Sequence, residues 1–251
     1  IFRYNAFTLS QKNMWNYGGT PFSNNASLRW QSMTMNRYEW DVKETFAWNW
    51  LDSRLLRGGP DVRFGSYFLT SAKFNTDKAK RMMFMLKYEG DHNFEGNRFN
   101  TISPSLTFRL GNHVYLSGQL DYAWNTDEMQ YVATTSPLSS SSLAPYYYVM
   151  GHMDQKTYGL TLKLQVNVTP DISIQFYGAP FTSIAKYDDF KLAADTKSHT
   201  FENRFQRIDP DQLTYADGVY TIGEGAGQMP FRNPDFRFNE FRSNLVARWE
   251  Y

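Results

Sequence analysis

The chain has 251 residues, a formal net charge of +1 and no cysteine, which excludes a disulfide framework and thiolate metal sites. Near-neutral charge also removes the electrostatic case for nucleic acid, which needs a basic surface to neutralise phosphates. Aromatic residues make up 18% of the chain while mean hydropathy is −0.58, a pairing expected of strands that turn one aromatic-rich face to lipid and one polar face to water.

The chain opens on Ile1-Phe2-Arg3-Tyr4, already strand-like, with no initiator Met and no signal peptide, so it reads as internal to a longer protein. A polar stretch over 10–25 predicts a loop, and alternation over 26–35 a strand, closed by the tight turn Met35-Asn36-Arg37. The strongest alternation follows. Tyr38, Trp40, Val42, Glu44, Phe46, Trp48 and Trp50 share one face, with Glu44 its only charge, against Glu39, Asp41, Lys43, Thr45, Ala47 and Asn49. After a polar stretch at 51–60 and a looser turn at Thr76-Asp77-Lys78-Ala79, weaker strands run over 81–89 and 102–110, separated by a loop at 91–96. The turn Leu110-Gly111-Asn112 leads into Val114, Leu116, Gly118, Leu120, Tyr122 and Trp124, opposite Tyr115, Ser117, Gln119, Asp121, Ala123 and Asn125. Beyond a loop at 134–145, the stretch 146–168 exceeds the usual strand of about 5–6 residues and alternates from Tyr158 to Val166. Thr169-Pro170-Asp171 turns it into a strand at 172–176, and a loop over 191–235 precedes the last strand. There Phe241, Ser243, Leu245, Ala247, Trp249 and Tyr251 oppose Glu240, Arg242, Asn244, Val246, Arg248 and Glu250.

Connections thus alternate short and long, as in outer-membrane barrels with short periplasmic turns and long external loops, and about ten strands then alternate in direction without conflict. Trp40 and Trp48 share a face eight residues apart, roughly 27 Å along a strand and roughly 20 Å once tilted, close to the spacing of two interfacial girdles. No stretch approaches the roughly 20 apolar residues of a membrane-spanning helix. The expected fold is all-β, an antiparallel transmembrane β-barrel, with residues 1–251 forming one barrel segment cut at both ends from a larger barrel. A soluble β-sandwich alternates as well, and alternation alone does not separate the two.

By parity the lumen receives Arg29, Asp41, Lys43, Arg81, Lys87, Glu89, Arg109, Asp121, Lys163, Glu240, Arg242, Arg248 and Glu250. Both signs are interspersed, which fits an interior crosslinked by ion pairs better than a charge-selective pore. Trp40, Trp48, Trp50, Tyr122, Trp124 and Trp249 are the expected membrane-interface aromatics. His92, His113, His152 and His199 lack zinc-site spacing, and neither Asp188-Asp189 nor Asp209-Pro210-Asp211 makes a calcium loop, so no metal or cofactor is expected. The run Ser139-Ser140-Ser141-Ser142 lacks the Gly-x-Ser-x-Gly pattern, which argues against a lipase-type enzyme. Gly58-Gly59-Pro60 reads as a backbone turn at a strand tip.

Several stretches resemble a family of outer-membrane proteins of Bacteroidota. They are Arg54-Leu55-Leu56-Arg57-Gly58-Gly59-Pro60, Met150-Gly151-His152-Met153-Asp154-Gln155-Lys156-Thr157, Ile174-Gln175-Phe176-Tyr177-Gly178-Ala179-Pro180-Phe181, Asn233-Pro234-Asp235-Phe236 and the closing run from Phe241 to Tyr251. In that family a carbohydrate-binding family-9-like domain precedes a C-terminal barrel of unassigned function. The resemblance implies that domain and further strands upstream of Ile1, and a turn with closing strands after Tyr251. The expected function is a porin-like, transport-related barrel for small polar solutes such as saccharides, in the outer membrane of a Gram-negative bacterium. The alternative is a structural or assembly component with a plugged lumen that anchors a partner or domain. Expected partners are outer-membrane lipid and lipopolysaccharide, with outer-membrane or periplasmic proteins besides.

Overall fold

The computed structural model describes all residues except 20, 49, 112, 139–144 and 251. The expected serine-rich loop at 139–142, Asn112 of the third tight turn, and the Asn49 and Tyr251 positions therefore lie outside the described residues. In chain order the strands are β1 (Phe2–Trp15), β2 (Pro21–Thr34), β3 (Glu39–Trp48), β4 (Trp50–Asp52), β5 (Val62–Phe64), β6 (Tyr67–Asn75), β7 (Met82–Asn93) and β8 (Arg98–Leu110). They continue as β9 (Val114–Thr135), β10 (Tyr147–Asn167), β11 (Ile172–Ala193), β12 (Phe205–Arg207), β13 (Leu213–Ala216), β14 (Val219–Ile222), β15 (Met229–Arg232) and β16 (Phe236–Trp249). One helical turn, α1 (Phe201–Arg204), interrupts them.

Ten long strands form one antiparallel sheet in the order β1-β2-β3-β6-β7-β8-β9-β10-β11-β16, with β12 extending the far end of β11. Each is joined to its neighbour by the next stretch of chain, so the four expected tight turns gather at one end; at the other, the β3–β6, β9–β10 and β11–β16 connections are long, but β1–β2 and β7–β8 are as short as the tight turns. β1 pairs only with β2 and β16 only with β11 among the described residues, so the sheet is an open arc.

Register explains the alternation. Trp30, Val42, Ala72, Leu86 and Tyr88 lie on one face, and Arg29, Lys43, Ser71, Glu89 and Thr101 on the other. The apolar face carries aromatic pairs across strands: Phe7–Trp30 at 6.4 Å, Trp40–Phe74 at 5.3 Å, Phe46–Phe68 at 5.0 Å and Tyr122–Tyr158 at 4.9 Å between centroids. Most of that face is uncovered: Leu9 is 80%, Leu120 53% and Leu245 68% exposed. On the loop side its last largely apolar row is Tyr88–Ile102–Tyr122–Tyr158; the rows beyond are Gly90–Asn100–Trp124–Lys156 and His92–Arg98–Thr126–Asp154.

The buried core lies not in the middle of the sheet but at its loop end. There β9, β10 and β11 run past their neighbours and are covered on both faces. One face packs Met129 and Met150 against Leu56, Val62 and Phe205. The other packs Val149 and Phe190 against Ile222 and Phe231 of the small sheet β13-β14-β15. Register shifts at Val149/Met150 and Met150/His152, with Asp189 at φ 43°, break the two-residue period where the environment changes.

All five expected loops proved to be structured in whole or in part; 91–93 end β7 and 134–135 end β9. Residues 10–15 continue β1 and 21–25 begin β2, with Ser10 Oγ 2.7 Å from Ser27 Oγ. The 51–60 stretch belongs to a connection containing the β4–β5 hairpin, and 191–235 holds the end of β11, α1, β12 and the three-stranded sheet.

Candidate functional site at the loop end

The polar face carries charges of both signs, and three ion pairs lie on it. Arg29 Nε donates to Asp41 Oδ1 at 2.7 Å, Lys87 lies 2.8 Å from Glu89, and Arg242 Nε donates to Glu240 at 2.7 Å. Lys43 faces Arg29 and Ser71 across the ladder, and Asp121 accepts from Gln119 at 2.9 Å and from Ser103. Lys163 sits opposite Tyr177 beside Gln165 and Gln175. Arg109 donates to the Lys78 carbonyl at 3.4 Å near the tight turns, where Arg248 and Glu250 share a hollow with Thr169 and Asp171. Arg81 precedes β7 rather than lying in it. These residues lie along the polar face without converging on one point.

Of the expected interface aromatics, Trp40, Trp48, Tyr122 and Trp124 share the apolar face, and Trp249 faces Ile172 at the tight-turn end. Trp50 does not continue the Trp48 face. It begins the separate strand β4, and its ring meets Tyr67 edge-on at 5.8 Å on the polar side.

That displacement helps to build a cavity of about 560 Å³ between the polar face and the overlying β4–β5 connection. Its floor comes from β6 to β10 beyond the Tyr88–Tyr158 row: Tyr67, Leu69, Asp91, Phe99, Asn125 and Gln155. Trp50 and Phe64 form the opposite wall, and Asp127 lies at its edge. Asn125 Nδ2 donates to Gln155 Oε1 at 3.1 Å, Gln155 Nε2 donates to Ser183 Oγ at 2.9 Å, and Asn125 Oδ1 is buried with no partner. Burial raises the Asp91 and Asp127 carboxyl groups above the usual carboxylate range. Burial, with the nearby Asp91 charge, pushes the Tyr67 hydroxyl up to about 12, so it is a neutral donor.

One ion pair fixes the connection that roofs this cavity. Arg204, at the end of α1, is 0% exposed and bonds Glu95 and the Arg63 carbonyl. Glu95 Oε2 also accepts from the Gly65 amide at 3.0 Å. Around the pair, the Arg63 amide donates to the Thr196 carbonyl at 2.8 Å and Thr196 Oγ1 to the Asp61 carbonyl at 2.7 Å. Three connections, β3–β6, β7–β8 and β11–β16, are thereby tied together. Alternation carries no signal for this latch; it does mark Asn125, on the face of Ala123, whereas Asp91, expected in a loop, lies in β7 on the parity of Glu89. Among the described residues no acidic or histidine cluster could hold a metal ion.

A family model described as a domain of unknown function, DUF5916, matches residues 2–218, which take in β1 to β13, the cavity and the latch. The chain belongs to this family. No curated protein and no solved structure matches it. The match ends before β16, so the arginine-bearing final strand lies outside it.

Proposed function

We propose that the chain is an arc of an outer-membrane β-barrel that lets small polar solutes cross the membrane. The observation carrying this reading is the broad, largely uncovered apolar face of ten strands, backed by a polar face that carries charges of both signs. A soluble sandwich would bury such a face under a second sheet. Here the small sheet β13-β14-β15 covers only the extensions beyond the apolar band. Uncovered apolar area on this scale calls for lipid or a partner. Trp40 and Trp249 near the tight turns, and Trp48, Tyr122 and Trp124 toward the loops, stand where two interfacial girdles would lie. Ion pairing of both signs along the polar face favours uncharged solutes over selection by charge. The relation to Bacteroidota proteins with an upstream carbohydrate-binding-like domain belongs to the same proposal.

A second reading, an anchor with an obstructed interior, is favoured by the β4–β5 connection lying over the polar face at the loop end. Planar-bilayer recording of the intact protein separates them. Stepwise conductance supports passage, and a silent but inserted protein transfers support to the anchor. An intact protein that stays in water and never enters bilayers overturns both.

A further inference from the structure

We propose that the cavity under the β4–β5 connection binds a saccharide, with Trp50 and Phe99 against the C–H face of a sugar ring and Tyr67, Asp91 and Asn125 engaging its hydroxyls. The inference rests on the solute-passing reading only for the route by which sugar arrives.

Unused hydrogen-bonding capacity is the first argument. Asn125 Oδ1 is buried without a partner, and the side-chain oxygens of Tyr67 and Asp91 have none among the described residues. Polar groups withdrawn from water are normally satisfied, so such a group next to a cavity points to an occupant that brings donors and acceptors. Hydroxyls do both. They can donate to Asp91 and accept from Tyr67, and a modest shift of the Asn125 amide would bring its oxygen within reach.

Neighbouring polar groups shape the cavity rather than fill that capacity. Asn93 Oδ1 accepts from the Glu95 and Asn97 amides, each at 2.9 Å, and Asn97 Oδ1 accepts from the Glu128 amide at 2.6 Å. Both amide groups of these asparagines are left as donors, on the side chains that line the cavity.

The walls supply the second argument. Phe99 is 45% exposed, and the Trp50 ring stands edge-on to Tyr67, leaving flat apolar surface beside the polar floor. A pyranose presents this combination, with axial C–H groups on its faces and hydroxyls around its edge. Charge narrows the choice further. Asp52, Asp91 and Asp127 line the cavity against one cation, Arg98, which disfavours phosphates and carboxylates. The volume, about 560 Å³, lies within the range of roughly 300–1,000 Å³ usual for small-ligand sites.

The test is calorimetry on the full chain in detergent, titrated separately with maltohexaose, cellohexaose, choline chloride and inorganic phosphate. Saturable binding of either hexaose is expected, weakened about tenfold or more by Phe99→Ala and by Trp50→Ala. Asp91→Asn, which removes charge but little volume, should weaken it also, and circular dichroism checks that each variant keeps its strand content. Should Trp50→Ala lose its fold, Phe99→Ala and Asp91→Asn decide. Binding of choline alone, no binding of either hexaose, or hexaose binding unchanged in the folded variants overturns the proposal. Conductance separates it from the channel reading: a conducting chain that ignores sugars sinks this inference alone, and a silent chain that binds them sinks passage alone.

Discussion

Glu95→Ala should unfasten the loop end while leaving the sheet intact. Arg204 is wholly buried and the Glu95 side chain only 13% exposed, so solvent screening does little for this pair. Removing the carboxylate leaves a buried guanidinium with only the Arg63 carbonyl and the Phe201 ring, 5.3 Å away, as partners, and its Nε already lacks a hydrogen bond. Breaking a buried pair from one side costs about 3–5 kcal/mol, most of it the uncompensated charge. Locally, that lowers the free energy of opening and should speed amide exchange by roughly two to four orders of magnitude. Hydrogen exchange should show the loss at Arg63, whose amide donates to Thr196, and at Ala194, whose amide donates to Arg204. Leu120 and Leu160, paired in the middle of β9 and β10, should keep their protection. Glu95→Leu combined with Arg204→Leu should recover part of the loss, since neither charge is then left alone. Unchanged exchange at Arg63 and Ala194 in Glu95→Ala would refute the latch, as would equal loss in the mid-sheet strands.

Three further outcomes are expected. Leu120→Arg, on the uncovered apolar face, should cost about 2–4 kcal/mol in lipid, read by denaturant titration in bilayers, and almost nothing if that face meets water. Asp127→Asn should stabilise the loop end at neutral pH. Because burial raises the folded carboxyl above its unfolded value of 3.8, the folded state binds more protons in the window above that value, and stability falls as pH rises through it; exchange rates in 126–135 measured against pH should lose this slope in the variant. Gly218→Ala should weaken the small sheet by about 1 kcal/mol, since Asp217 and Gly218 both have positive φ in the two-residue β13–β14 turn; near-ultraviolet circular dichroism of the Phe190–Tyr220–Phe231 cluster reports it.

Ten long strands were legible because each crosses a zone where its two faces differ. Period two is the record of that difference, and it fades where the difference ends. Ser10-Gln11-Lys12-Asn13 pair with 24–27 in regular register, yet they looked like a loop because both faces there are polar. The upper parts of β9 to β11 fail in the opposite way: both faces are covered, by Met129 and Met150 on one side and Val149 and Phe190 on the other, and bulges shift the phase between them. Trp50 shows the limit from a third side. Its spacing from Trp48 suits the same face, but the chain leaves β3 and starts β4, and the ring turns to the polar side. Asp217-Gly218, by contrast, carried an ordinary hairpin signal inside the supposed 191–235 loop, flanked by Leu213-Thr214-Tyr215 and Val219-Tyr220-Thr221.

The cavity divides along the same line. Its floor is an extension of strand parity: Asp91, Asn125 and Gln155 share the face of Glu89, Ala123 and Thr157, although Asp91 was expected in a loop. Its roof is not. Trp50 and Phe64 stand over that floor because Arg204 reaches Glu95, 109 residues earlier, and the Arg63 carbonyl, 141 residues earlier. Contacts at that separation have no local periodicity to betray them, since either partner alone reads as a solvated loop charge. Their burial is what distinguishes them, for an arginine shut away from water stays folded only with its charge and most of its donors met. The residues that orient this end of the molecule are therefore the loop charges that a reading by strand faces sets aside.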